Sequence, residues 1–191
     1  SSWDAHGGEG IGASVVLIEQ LAMLGAPNAG PSGGGDVLIC SQEAGERWGQ
    51  VAWLSESIET MPWGAEFGAA LATPPSTMPS YDNFLAVGAP GIDRVYFLTG
   101  SGSGQDWQMI GFVDGELGSE FGSSISVSDD GLIAIGAPDE EAGRGSATVF
   151  VAQGEDIEFV AKVMGPVYAG DPGEFGHAVA MSGPVLYVGA P

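Results

Sequence analysis

A chain of 191 residues that is 44% apolar and only 15% charged has a globular composition, which argues against a disordered polypeptide. Its 25 acidic residues face only Arg47, Arg94, Arg144 and Lys162, and the net charge of −21 repels phosphate backbones and argues against nucleic acid as a partner. No uncharged apolar run is long enough to span a bilayer, so direct membrane insertion is not expected, and 33 glycines without a Gly-x-y period predict tight turns rather than collagen.

Residues 1–10, "SSWDAHGGEG", form a Gly-rich lead-in that carries His6 and begins with neither Met nor a signal-like apolar segment, so a processed or partial product is expected. A first unit, 11–66, opens at Ile11-Gly12, turns at Glu19-Gln20 and reaches Gly25-Ala26-Pro27. After the loop "NAGPSGGGD" (28–36), "DVLIC" reads as a strand. Cys40, the only cysteine, is expected there as a buried inert thiol and can form no intrachain disulfide. Trp48 and Trp53 follow in strand-like segments and are expected in the core.

The second unit, 67–120, reads as four strands, "AALAT", "FLAVG", "RVYFLTG" and "DWQMIGFV", the last carrying a core Trp107. A Pro-rich insert, "TPPSTMPS" (73–80), lengthens its first turn and must lie outside the sheet. "GSGSG" (100–104) sits in a strand-to-strand turn, with no helix to receive phosphate. In the third unit, 121–174, "SSISVS" alternates like a half-buried strand, and Asp129-Asp130-Gly131 supplies hairpin chemistry. The continuous apolar run "LIAIG" suits a strand covered on both faces. "SATVFVA" and "DIEFVAKV" complete the unit, with Ile157, Phe159, Ala161 and Val163 expected on one side. Residues 175–191 repeat the first half of a unit, with His177 expected to be packed or exposed rather than a metal ligand. No segment keeps a helical period over ten residues, so the fold class is all-β.

Phe67-Gly68, Phe121-Gly122 and Phe175-Gly176 each stand 54 residues after the one before, and each is preceded by a glutamate: Glu66, Glu120 and Glu174. Gly-Ala-Pro recurs at 25–27, at Gly88, Ala89 and Pro90, at Gly136, Ala137 and Pro138, and at Gly189, Ala190 and Pro191. A four-stranded sheet of about 50 residues cannot bury both faces alone and must stack on neighbours. The Phe is expected to plug the seam between sheets, and its Gly to let backbone pass close by. The Gly of Gly-Ala-Pro is expected to allow a sharp exit from the strand, and Pro to stop the ladder. Units of this length with four strands have the period of a β-propeller blade.

These residues resemble the FG-GAP repeat, the blade of the integrin α-subunit propeller and of many cell-surface proteins. "FGSSISVSDDGLIAIGAP" and "FGHAVAMSGPVLYVGAP" are similar to its non-integrin branch. The resemblance, from about Ile11 to Pro191, implies a β-propeller of antiparallel four-stranded blades, three complete and half of a fourth. A ring needs at least four blades, so a longer chain, or sheets from another chain, is expected to complete it. The resemblance also implies an extracellular or surface location, binding of another protein or a glycan, and calcium in the hairpin loops of some members. Calcium takes six to eight oxygen ligands. Here only Asp129 and Asp130 pair two carboxylates, and Asp82 with Asn83 is weaker. Calcium, if bound, is expected at Asp129 and Asp130, where an ordinary hairpin is the simpler structure, and no cofactor is required.

The loops after Gly-Ala-Pro and those entering Phe-Gly are expected to share one face. On it Trp63, Asp93, Arg94, Asp139, Glu140, Glu141, Arg144, Tyr168 and Asp171 are the candidate anchors, since aromatics and Arg are the usual hot spots. No nucleophile elbow, phosphate-cradling loop or acid–base pair is present, so a non-catalytic binding or adhesion module is expected. A structural subunit of an extracellular filament or coat is one alternative, and an accessory domain of a larger secreted hydrolase or lyase is another.

Overall fold

The Phe-Gly period is the period of the sheets. The structure, a computed structural model, describes residues 10–30, 32–43, 47–54, 61–75, 83–100, 106–153, 156–167 and 173–191. It is all-β, with antiparallel sheets whose strands pair in chain order. The first sheet holds β1 (Val15–Ile18), β2 (Leu21–Ala26), β3 (Asp36–Glu43) and β4 (Arg47–Trp53); the second holds β5 (Leu71–Ala72), β6 (Phe84–Ala89), β7 (Arg94–Thr99) and β8 (Gln108–Asp114). The third holds β9 (Ser124–Val127), β10 (Leu132–Ala137), β11 (Ser146–Gln153) and β12 (Asp156–Met164), and the fourth pairs β13 (Ala178–Ser182) with β14 (Val185–Gly189). Helical turns stand at Pro90–Ile92 and Glu140–Gly143, the latter left-handed at Glu141 and Ala142.

The sheets pack face to face in sequence order, each meeting the next through its first strand: β1 touches β5, β5 touches β9, and β9 touches β13. One apolar cluster joins Met23, Val37 and Ile39 of the first sheet to Leu85, Val87 and Tyr96 of the second. A second joins Phe84 and Phe97 to Val127, Ile133 and Phe150 of the third. Phe67 and Phe121 are buried in these two seams, and Phe175 is half-buried in the next. Phe67 meets Tyr96 edge-on at 5.5 Å and Phe121 meets Phe150 at 6.5 Å, so the phenylalanines plug the seams as their recurrence implies.

The glycine of Gly-Ala-Pro has a different task from the exit turn expected of it. A Cβ at Gly25 would lie 1.9 Å from the Gly68 carbonyl oxygen of the next sheet; at Gly88 it would lie 2.1 Å from that of Gly122, and at Gly136 1.9 Å from that of Gly176. None of the three has a positive φ. What forbids a side chain is backbone packed against backbone between sheets, not the path of the strand. The Phe-Gly glycines carry both constraints: φ is 91° at Gly68, 96° at Gly122 and 99° at Gly176, and each lies against the preceding sheet. Pro90 ends β6 by opening a 3-10 turn, as a residue without an N–H should.

Two expectations about strands are corrected. Ile157, Phe159, Ala161 and Val163 do not share one side, because the register between β11 and β12 shifts at Val149/Phe150 and leaves Val160 as an extra residue. The same irregularity falls between Ile39/Cys40 and between Phe97/Leu98, so three sheets bulge at one place. Of the tryptophans, Trp107 is buried and Trp53 half-buried, whereas Trp48 on β4 is exposed, since among the described residues no further strand flanks it. Cys40 is buried, and burial raises its thiol pKa, as an inert core thiol requires. Residues 76–82 of the Pro-rich turn, and His6, lie outside the described residues.

Gly136→Ala is expected to cost about 2 kcal/mol in urea unfolding, because the Gly176 carbonyl must move. Gly111→Ala on β8, where an added Cβ meets nothing within 4 Å, is expected to change stability by less than about 0.5 kcal/mol.

Candidate binding face

The turn before each Phe and the loop after each Gly-Ala-Pro are stitched together. The Gly91 N–H donates to the Ala65 carbonyl at 3.2 Å, and the Asp139 N–H donates to the Ser119 carbonyl at 3.1 Å, so both loop sets lie on one face. On that face Trp63 is 85% exposed and Leu117 is 99% exposed. Each stands four residues before its Phe and directly before a glycine of positive φ, Gly64 at 74° and Gly118 at 76°. The turn geometry aims both side chains away from the core. Leu117 escapes a search for aromatic and Arg anchors; its register with Trp63 is the signal that finds it.

The three glutamates before the phenylalanines adopt the left-handed backbone region, with φ of 59° at Glu66, 55° at Glu120 and 40° at Glu174. That region favours Gly and Asn and is unusual for Glu. Glu66 and Glu120 are exposed and Glu174 is half-buried. The Glu120 carboxyl pKa is raised above the usual range, first by desolvation and then by the negative charges of Asp139, Glu66 and Glu174. The carboxylates therefore share one field, and exposed His177 stands 3.8 Å from Glu174 at its border.

Several expected anchors serve the fold instead. Asp93 is buried at a left-handed position, φ 54°, and its carboxylate accepts from the Gly118 N–H at 2.6 Å, from the Ser119 N–H at 2.9 Å and hydroxyl at 3.2 Å, and from the Phe121 N–H at 3.4 Å. Arg94 makes a bidentate pair with Asp114 at 2.5 and 3.0 Å and lies over the Phe112 ring at 3.9 Å. The hydrogen bonds to Asp114 push the Arg94 pKa further up. Glu140 is buried, accepting from the Ser146 hydroxyl at 2.6 Å and from Lys162. Arg144 donates to the Gly165 carbonyl at 2.7 Å and to Glu141 at 2.9 Å. Asp93 and Glu140 are thus buried internal ties rather than exposed docking anchors, while Arg94 and Arg144 are half-buried and already paired. Asp139, Glu141 and Trp63 remain on the surface, and Tyr168 and Asp171 lie outside the described residues.

A cleft of about 370 Å³ opens between β8 and β12, over Phe121, Phe150 and Phe159. Its charged rim is self-paired: Lys162 bonds Glu140 and stands 3.7 Å from Glu116. Asp129 and Asp130 occupy an exposed turn in which the Gly131 N–H donates to the Ser128 carbonyl at 3.1 Å, the ordinary hairpin. Among the described residues no group of three or more His, Cys, Asp or Glu could hold a metal ion. Two adjacent carboxylates on a turn do not fit a six- to eight-oxygen calcium cage. Among the described residues no helix is long and apolar enough to cross a membrane.

No family model and no curated protein matches the sequence. Among solved structures, a crystal structure of a protein from Lactobacillus plantarum is similar, with a TM-score of 0.58 at 16% identity over 82% of this chain and 43% of that one. At that identity the likeness concerns the fold, and this chain spans less than half of that structure's length.

Asp93→Ala is expected to destabilise the chain by about 2–4 kcal/mol in urea, since it orphans three backbone donors that now bond a buried carboxylate. Glu120→Gln is expected to act through pH. Because the folded pKa lies above the unfolded value, the native chain's gain from protonating Glu120 is present below the ordinary carboxylate range and is lost as pH rises through the folded pKa. Thermal melts should show the variant more stable than the native chain at neutral pH, with the difference shrinking in acid.

Proposed function

We propose that this chain is part of a β-propeller of the FG-GAP type, a non-catalytic binding or adhesion module of a secreted or cell-surface protein. The stacking of sheets in chain order, with first strands meeting and a Phe-Gly wedge at each seam, supports the propeller reading over a sandwich of two sheets. The surface location rests on the resemblance of its repeats.

The observation that carries the binding role is the pair Trp63 and Leu117, two large apolar side chains held almost wholly in solvent at equivalent turns of one face. Around them Glu66, Glu120 and Asp139 concentrate negative charge, with the glutamates at backbone positions that cost stability. A face that carries exposed apolar side chains and carboxylates suits a protein partner bearing Lys or Arg beside an apolar residue, in preference to a neutral glycan.

The chain, immobilised and tested against a panel of basic extracellular proteins and a glycan array, is expected to capture basic proteins, with affinity falling as salt rises. Trp63→Ala and Leu117→Ala are each expected to cost about 1–2 kcal/mol of that affinity. Undiminished binding by the double variant would remove this face from the reading, and capture of neutral glycans alone would replace the partner class.

A further inference from the structure

The first two seams share one plan and differ at one place. In both, strand pairing runs in step from the Gly-Ala-Pro glycine: Gly88 faces Val95 and Gly136 faces Ala147, so Tyr96 and Thr148 hold equivalent positions on β7 and β11. Their neighbours on the outer strands match as well, Phe112 opposite Tyr96 and Lys162 opposite Thr148. Between the first and second sheets this place is aromatic. Phe67, Tyr96 and Phe112 form a row of rings with centroids 5.5 and 6.1 Å apart, and Tyr96 is buried. Between the second and third sheets a threonine and a lysine stand in place of two rings, and the cleft of about 370 Å³ between β8 and β12 lies there.

The exchange leaves an aromatic wall open to solvent. The Phe121 wedge meets Phe150 edge-on at 79°, Phe150 meets Phe159 edge-on at 82°, and Phe159 is 63% exposed. Rings set at right angles offer no shared flat surface for a sugar to stack on, but an edge-to-face row accepts a further ring at its end. The cleft has the volume of an ordinary ligand pocket and room for one aromatic side chain. Charge decides what accompanies that ring. Asp114 is paired with Arg94 and Glu140 with Lys162, whereas the Glu116 side chain, 67% exposed, meets Lys162 only at 3.7 Å. That carboxylate stands at the mouth, because Asp114, Gly115 and Glu116 lead from the end of β8 into the turn that carries Leu117.

We propose that the cleft is a specificity pocket that takes an aromatic side chain, Tyr or Phe, from the partner, with an adjacent Lys or Arg on Glu116. The guest ring supplies to the second seam what Tyr96 supplies to the first, and it packs on Phe150 and Phe159. Both walls come from the second and third sheets, which the seam itself holds together. The proposal rests on the reading of this chain as a module that binds a basic protein, and it names the residue that protein presents. Neither Trp63 nor Leu117 lines the cleft, so the two sites fail separately.

A terminally blocked Lys-Tyr-Lys peptide, titrated into the native chain and followed by NMR at the Thr148 methyl and the Phe159 ring, tests the pocket apart from the rest of any partner. Both signals are expected to shift and saturate, with Lys-Leu-Lys binding about 2- to 10-fold more weakly. Thr148→Tyr places in the cleft the ring that the first seam already holds, and is expected to abolish the shift at Phe159. Glu116→Gln is expected to weaken binding about 2- to 5-fold. Should Thr148→Tyr fail to fold, Phe159→Ser, at an exposed position, removes the wall instead and is expected to bring Lys-Tyr-Lys down to the level of Lys-Leu-Lys. Absence of shifts at these groups, equal binding of the two peptides, or undiminished binding by a folded Thr148→Tyr would each overturn the pocket. Capture of basic proteins that survives these variants but is lost in the Trp63 and Leu117 double variant would overturn the pocket and leave the face standing. Peptide binding in the cleft with no basic protein captured would do the reverse.

Discussion

The fold depends on the close approach of two backbones at each seam. A carbonyl oxygen set against the α-carbon of a glycine brings neighbouring sheets nearer than any side chain would allow, at Gly25, Gly88 and Gly136 alike. That approach fixes the spacing at which Phe67 and Phe121 fill the seam, each contributing about 2–3 kcal/mol of apolar burial. It also fixes where the preceding turns emerge, because Glu66, Glu120 and Glu174 are one residue from the wedge and two from the glycine. The left-handed backbone of those glutamates is the route by which the chain climbs from the open face into the seam.

The open face is therefore a consequence of the joints. Its turns cannot shift without opening a seam, so Trp63 and Leu117 are presented by rigid scaffold rather than by free loops. The ties found at Asp93, Arg144 and Glu140 serve that rigidity. A carboxylate or guanidinium consumed in this way adds nothing to docking directly, yet it decides how firmly the exposed residues are held.

Much of the sheet plan was legible in the sequence, because Phe-Gly and Gly-Ala-Pro mark the same physical contact from its two sides and recur in register. The bulges were not. In "DIEFVAKV" the apolar residues alternate without a break, and only the partner strand's register reveals that Val160 is extra. Nor could loop position distinguish a docking anchor from an internal tie, since Asp93 and Asp139 follow Gly-Ala-Pro in similar contexts and only one is buried. A clue was present all the same. Gly35, Asp93 and Gly145 each open the third strand of their units, and all three are left-handed. An aspartate where the others have glycine bears a backbone cost, and such a cost points to work for its side chain.

That substitution shows how one joint can be locked by two chemistries. In the flanking seams Gly35 and Gly145 pair by backbone with Phe67 and Phe175, and Ser14 and Ser124 tie down the inserted carbonyl. The middle seam has neither device: Ala70 lacks the hydroxyl, and Asp93 replaces the pairing glycine. Its carboxylate gathers the N–H groups of Gly118, Ser119 and Phe121 instead, holding the Phe wedge through its turn rather than through the strand. Charge-assisted bonds are about twice as strong as neutral ones, so one side chain can replace two weaker ties. The middle seam thereby concentrates its lock in a single residue, while its neighbours divide theirs between a hydroxyl and a backbone bridge. The turn it locks is the one that presents Leu117, so a change at Asp93 reaches the open face first through that turn, whereas the Trp63 turn is also held from the first seam, where the Gly64 and Phe67 N–H groups donate to the Gly33 and Gly34 carbonyls.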